Sequence, residues 1–241
     1  MENKTAFITG ISSGLGEALA LNYLDSGWNV IGLSRRNPKW GYEKENLHFQ
    51  SVNLAKFDEI ERNLEGLFEH TKSIDIAILN AAILGEISDL AEADLTEVKK
   101  IMDVNVWANK IIFDFFIHSK INVKQIVAIS SGASKSGGRG WNGYGISKAA
   151  LNMLVQLYAS EMPETHITAL APGLIDSSMQ EYISSLSHDT AEKFPTVKRL
   201  KEARGTNDMP KPKEAAKKII SFLPKLLTMP SGKYYDIRDF K

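Results

Sequence analysis

The chain has 241 residues, with 29 Lys and Arg against 29 Asp and Glu, 43% hydrophobic residues and no cysteine. A net charge of zero offers no global attraction for nucleic acid or an anionic membrane, and a chain without cysteine has no disulfides, thiolate nucleophiles or zinc–cysteine sites. Its chemistry must therefore use oxygen, nitrogen or a cofactor, and the composition suits a reducing compartment.

The first residues run straight into a strand-like Ala6-Phe-Ile-Thr and lack the charged region, apolar core and cleavage site of a signal peptide. The most apolar runs, 76–84 and 111–117, are too short to span a membrane and carry Asn80 and Asp114 within them. A cytoplasmic protein with no membrane or nucleic-acid partner is expected. Strand patterns follow at 5–9, 29–34, 47–52, 74–79, 125–130, 167–171 and 233–237, most of them continuously apolar, as strands covered on both faces should be. Amphipathic stretches separate them: Leu15, Ala18, Leu19 and Tyr23 share one helix face, and Ile60, Leu64, Leu67 and Phe68 another. The alternation predicts an α/β fold: one doubly wound, Rossmann-type domain over 1–241 with a seven-stranded parallel sheet. No linker or repeat divides it. Only 177–212, polar and broken by Pro195, Gly205 and Pro210, escapes the alternation, and its place after the sixth strand makes it a candidate substrate lid.

After the first strand comes Thr9-Gly10-Ile-Ser12-Ser13-Gly14-Leu15-Gly16. Glycines here let the chain turn tightly and approach a ligand, while backbone N–H groups at a helix start face outward as an anion seat. The second strand ends in Ser34-Arg35-Arg36. With no carboxylate to take a ribose 2′-hydroxyl, Ser34 is expected to donate to a 2′-phosphate and Arg35, with Arg36, to pair with it; the cofactor predicted is NADP(H). Farther on, Tyr144 and Lys148 stand four residues apart, on one helix face. A phenol titrates near ~10, and a neighbouring cation favours its ionised form, so Lys148 is expected to lower the Tyr144 pKa. Ser131, thirteen residues upstream, falls at the end of the fifth strand, where ligands bind in open parallel sheets.

Taken together, Gly10-x-x-x-Gly14-x-Gly16, Asn80-Ala81-Ala82, Asn105, Ser131, Tyr144-x-x-x-Lys148 and Pro172-Gly173 resemble, in order and spacing, the short-chain dehydrogenase/reductase family over essentially the whole chain. Gly140-Trp141 and the C-terminal 232–240 further resemble its sepiapterin reductase and bacterial benzil reductase branch. The resemblance implies that Tyr144 is the general acid of carbonyl reduction, that Ser131 orients the carbonyl oxygen, that Lys148 holds the nicotinamide ribose, and that Asn105, on the helix beginning near Leu95, supports a water linked to Lys148. It implies adenine contacts from Asn53 and Leu54, which stand where the family usually has Asp before an apolar residue. It implies ribose-side contacts from Asn80, Ala81 and Ala82, and nicotinamide contacts from Pro172, Gly173, Ile175 and Ser177. Ser13 replaces the Arg or Lys of many NADP-dependent relatives, which leaves the 2′-phosphate to Arg35 and Arg36. A homodimer or homotetramer is implied likewise.

Trp141, Met179 and Tyr182, with Ser131 and Tyr144, are the substrate-side candidates. The five histidines show no metal-binding spacing, so no metal is expected, and the basic run 211–218 reads as a solvated helix face. The expected activity is NADPH-dependent reduction of a small ketone or dicarbonyl, benzil- or pterin-like, to a secondary alcohol. The other class of reading is a sensor or scaffold that binds NADP(H) without turnover. Such a protein has no use for the Asn105, Ser131, Tyr144 and Lys148 set.

Overall fold

The computed structural model describes residues 4–40 and 44–240, so 1–3, 41–43 and 241 of the expected domain lie outside the described residues. The elements run β1 (Thr5–Thr9), α1 (Gly14–Asp25), β2 (Asn29–Ser34), β3 (Leu47–Ser51), α2 (Phe57–Phe68), β4 (Ser73–Ile74), β5 (Ile76–Leu79), α3 (Leu95–Met102), a π-helical turn (Asp103–Trp107) and α4 (Ala108–Ser119). There follow β6 (Asn122–Val123), β7 (Gln125–Ile129), α5 (Ala133–Ser136), α6 (Asn142–Glu161), β8 (His166–Ala171), α7 (Ser178–Ser185), α8 (His188–Lys193), α9 (Pro195–Ala203), α10 (Pro212–Leu226), β9 (Lys233–Asp236) and a 3₁₀ turn (Ile237–Asp239).

Seven strands pair in the order β3-β2-β1-β5-β7-β8-β9, all parallel. Strand pleating sends alternate side chains to opposite faces. On β1, Phe7 points into one apolar layer with α2, α4 and α6, while Ala6 and Ile8 join α1 and α10 in the other. Phe7 is fully buried, its ring 5.3 Å from Phe68 and 5.7 Å from Phe116, both edge-on. Full burial of such a side chain contributes about 1.5–3 kcal/mol. The same alternation on β5 and β7 divides Ala77, Leu79, Ile126 and Ala128 from Ile76, Ile78, Val127 and Ile129. Both faces are covered, which is why the strands read as unbroken apolar runs.

Register then places the site. Thr9 pairs with Leu33, Ser34 with Ser51, Leu79 with Ala128, Ile129 with Leu170 and Ala171 with Asp236. The next residues along each strand, among them Gly10, Arg35, Asn80, Ser130 and Pro172, therefore open on one edge of the sheet. The chain leaves β1 toward β2 and β3, then returns on the other side through β5. The crevice between Gly10 and Asn80 is thus the topological switch point, where open α/β sheets bind ligands.

Two expectations are corrected. The single strand at 74–79 is interrupted at Asp75: Ser73–Ile74 pairs instead with Asn122–Val123 in a separate parallel ribbon. The Asp75 carboxylate accepts the Thr5 N–H at 2.9 Å and its own N–H donates to Thr5 O at 3.0 Å, so the polar residue serves as a stop for β1. The segment 177–212, read as irregular, holds α7, α8 and α9. Ile183, Ala191, Phe194, Val197, Leu200 and Met209 give it an apolar core of its own, shared with Leu84, Ile87 and Tyr144 of the body. Each helix is too short for its apolar residues to show a period. Among the described residues, no helix is long and apolar enough to cross a membrane.

Candidate active site

A cavity of about 500 Å³ runs along the carboxyl edge of the sheet. At its floor, Gly10 and Gly14 take left-handed conformations (φ 80° and 62°). Gly16 has a different constraint: a Cβ there would lie 2.2 Å from Gly10 O and 2.6 Å from Asn80 Nδ2, so α1 can seat against the loop only without a side chain. The loop is clasped from the next strand. Asn80 N and Ala81 N donate to Thr9 Oγ1, each at 3.0 Å, and Asn80 Nδ2 donates to Thr9 O at 3.0 Å. Ser177, just before α7, has its Cβ 3.7 Å from where one on Gly14 would stand, so the starts of α1 and α7 meet at the cavity. Neither Ser13 nor Ser177 spends its hydroxyl capping its own helix. Two convergent helix starts make a seat suited to a diphosphate.

Beyond β2, Ser51 Oγ donates to Arg35 O at 3.1 Å and Ser34 Oγ to Arg36 O at 2.6 Å. The Ser34 proton, expected on a phosphate, is thus committed to the backbone. Both hydroxyls hold the turn so that the exposed Arg35 and Arg36 stand in the cavity wall, and Arg36 Nη2 reaches Ser13 Oγ at 3.3 Å. Neither arginine has a carboxylate partner among the described residues. Asn53 spends Oδ1 on Ala55 N at 3.1 Å, and with the buried Leu54 it lines the same end. The residues present fit a nicotinamide dinucleotide: a Gly16 without room for a side chain, serine hydroxyls that cap no helix, two helix starts, and guanidinium groups with no carboxylate partner among the described residues.

At the other end, Ser131, Trp141, Tyr144 and Lys148 share the wall. Tyr144 is buried, and the Ser131 hydroxyl favours its ionised form. Lys148, also buried, donates from Nζ to Ile129 O at 2.7 Å and lies 5.7 Å from the Tyr144 ring centre. Burial lowers the Lys148 pKa to about 8. It also pushes the Tyr144 phenol up, with the Ser131 hydroxyl pulling partly back. The expected depression of Tyr144 is therefore not found here: the cation shares the dry pocket but turns its head toward a carbonyl, and desolvation of the phenolate dominates. The Trp141 ring packs 5.8 Å from that of Tyr144.

Gly10, Ser12, Ser13, Gly14, Leu15, Asn80, Ala81, Ala82, Pro172, Gly173, Ile175, Ser177 and Met179 also line the cavity. Three expected residues do not. Gly16 packs behind the loop, and Tyr182 lines a smaller adjoining hollow with Leu84, Gly85 and Met179. Asn105 is fully buried behind the wall, in the π-helical turn rather than in α3. It exchanges hydrogen bonds with Ile83, N–H to Oδ1 at 2.8 Å and Nδ2 to O at 2.9 Å, and donates to Ser147 Oγ at 3.0 Å. It binds the 83 segment to α6.

The sequence profile described as short chain dehydrogenase matches residues 4–187, well over half of the chain. The chain belongs to the short-chain dehydrogenase family. It is 30% identical, over 97% of its length and 98% of the relative's, to a benzil reductase ((S)-benzoin forming) of Bacillus subtilis strain 168. It is also 30% identical, over 73% of its length and 76% of the relative's, to an NADPH-dependent pterin aldehyde reductase of Arabidopsis thaliana. The crystal structure of the KRED1-Pglu enzyme superposes with a TM-score of 0.83 at 23% identity, covering 97% of this chain and 100% of that one, which shows the shared fold.

Sequence reasoning missed several residues of this short-chain dehydrogenase. Ser130 Oγ donates to Asn152 Oδ1 at 2.6 Å, Asn152 Nδ2 donates to Ser134 Oγ at 2.9 Å, and Ser134 Oγ donates to Ser131 O at 2.7 Å. This relay fixes the loop that presents Ser131. Asn152 could have been found, since Tyr144, Lys148 and Asn152 follow at four-residue steps on one face of α6. Arg199 and Arg238 are also in the wall: Arg199 lies far along the chain from any motif, and Arg238 falls within the C-terminal 232–240 without having been assigned a role there.

Proposed function

We propose that this oxidoreductase is an NADPH-dependent carbonyl reductase that converts a ketone or dicarbonyl, benzil- or pterin-like, into a secondary alcohol. The observation that carries the reading is that Tyr144 and Ser131, two hydroxyls, share the cleft wall with Lys148 buried beside them. A nicotinamide cofactor, when bound, supplies hydride to the carbonyl carbon. Tyr144 gives its proton to the carbonyl oxygen, and its raised pKa keeps that proton in place until charge develops there. Ser131 donates a second hydrogen bond to the same oxygen, which strengthens as alkoxide character grows and so lowers the barrier. Lys148 holds the ribose hydroxyls and keeps a positive charge near the phenol.

Arg35 and Arg36, which have no carboxylate partner among the described residues, support NADP(H) over NAD(H), in accord with the relative named as NADPH-dependent. The segment 177–212 acts as the substrate lid, its apolar core closing on Tyr144. One domain over 1–241 carries both sites. An oligomer is supported by α6, where Ile146, Met153 and Leu157 form an exposed apolar stripe near the exposed Trp107. The test is loss of nicotinamide absorbance with NADPH or NADH and a panel of diketones and pterins. NADPH is expected to be oxidised with a kcat/KM at least about tenfold above that of NADH, since a phosphate–arginine pair is worth more than ~1.4 kcal/mol. Binding of NADPH without oxidation across the panel would contradict the reading.

A further inference from the structure

The charge of the cleft wall is one-sided. Among the described residues it holds five cations, Arg35, Arg36, Lys148, Arg199 and Arg238, and no aspartate or glutamate. Three of these have roles in the reading above: Arg35 and Arg36 follow β2 at the phosphate end, where Arg36 reaches Ser13, and Lys148 is buried beside Tyr144. The other two belong to the opposite end. Arg238, on the 3₁₀ turn after β9, has Nη2 3.3 Å from where a Cβ on Gly132 would stand, next to Ser131. Its guanidinium is held by two parallel bonds to Asp236, Nε to Oδ1 at 2.9 Å and Nη2 to Oδ2 at 2.6 Å, so it is fixed in direction while Asp236 stays out of the wall. Arg199 is on α9, one turn beyond Thr196, whose Oγ1 lies 3.1 Å from a Cβ built on Gly138, and beside Leu200, which shares the lid core with Tyr144. Arg199 has no ion-pair partner among the described residues.

The Arg238 charge is offset by Asp236, so this end of the cleft draws its net positive charge from Arg199, with Arg238 adding the N–H donors that Asp236 leaves free. We infer that the carbonyl substrate carries a carboxylate, received by Arg199 from the lid and Arg238 from the body while its carbonyl lies between Ser131 and Tyr144. This rests on the carbonyl reductase reading and adds the substrate's charge. Arg199 is a specificity-determining residue: it binds the anion best when the lid lies over the site, so an acidic substrate draws the lid down.

The test compares aryl keto acids with their methyl esters, benzoylformate and 3-benzoylpropionate each against its ester, using the full chain and saturating NADPH. The ester is the better electrophile in the benzoylformate pair, so the decisive quantity is the change in the acid-to-ester ratio of kcat/KM on substitution. Arg199→Gln is expected to lower that ratio about tenfold or more for at least one pair, Arg199→Lys to restore most of it, and Arg199→Glu to lower it further. A ratio unmoved by all three substitutions, or acids left untouched while benzil is reduced, would overturn the inference and leave the reductase reading standing. A panel in which acids, esters and benzil are all inert would overturn both. NADPH affinity, titrated by nicotinamide fluorescence in each variant, separates the sites: a Kd rising in step with the lost selectivity would assign Arg199 to the cofactor and overturn the inference.

Discussion

Tyr144 and Lys148 share one buried pocket and are pushed by it in opposite directions, because burial penalises whichever form is charged. The phenol holds its proton more firmly than a solvated tyrosine, and the ammonium releases its own near pH 8. The proposed reaction needs Tyr144 protonated and Lys148 charged, and both conditions are met on the acid side of about 8. As pH rises through that value Lys148 becomes neutral first, so kcat/KM for carbonyl reduction is expected to fall about tenfold between pH 7 and 9. A pH–rate profile with a competent dicarbonyl reads this directly, and a flat profile to pH 9 would show that Lys148 keeps its charge. The four-residue spacing made the pair legible in the sequence. Its electrostatics were not legible, since they depend on a depth of burial and on the Ile129 carbonyl that turns the Lys148 head aside.

At the scale of elements, the proposed lid is tied at both its neck and its tip. Asp176, nearly enclosed, receives Arg204 Nε at 2.9 Å from beyond α9 and Lys211 Nζ from the start of α10, while its N–H donates to Pro210 O at 3.0 Å. Those contacts bring the two ends of 177–212 together. Farther out, Lys193 of α8 joins Asp89 at 3.2 Å and Glu92 at 3.1 Å, and Arg139 grips Asp89 with two bonds at 2.6 and 2.8 Å. The exposed tip pairs add little stability individually. The neck pair is the enclosed one, so Asp176→Asn is expected to speed amide exchange across α7 to α9 and to raise KM for the carbonyl substrate several-fold, with a smaller change in kcat. Exchange rates indistinguishable from those of the unaltered protein would show the neck to be held by packing alone. This latch could not be read from sequence, because Asp176, Arg204 and Lys211 are scattered through a segment whose short helices show no period. For the same reason Asn105 was expected on an ordinary helix: nothing in its neighbours marks a π-helical turn, a feature that recurs at functional sites.

For the whole molecule, the strand alternation and the glycine loop were enough to predict the seven-stranded parallel sheet and the edge on which ligands bind. A sheet covered on both faces dictates apolar runs, and a parallel sheet dictates that all its carboxyl ends open together. Contacts that join distant segments were beyond reach: the Ser130–Asn152–Ser134 relay behind Ser131, the Thr9–Asn80 clasp, and the arrival of Arg238 beside Gly132 after more than a hundred intervening residues. Zero net charge also concealed the distribution that matters: among the described residues the cleft wall holds five cations and no carboxylate. In the proposed reaction this fold brings Tyr144 to the carbonyl oxygen as proton donor. Tyr144→Phe keeps the ring against Trp141 and removes only the hydroxyl. With NADPH and a dicarbonyl reduced by the unaltered protein, its kcat is predicted to fall about 100-fold to 10,000-fold while NADPH affinity holds within about threefold; near-normal turnover in that variant would rule out Tyr144 as the proton donor.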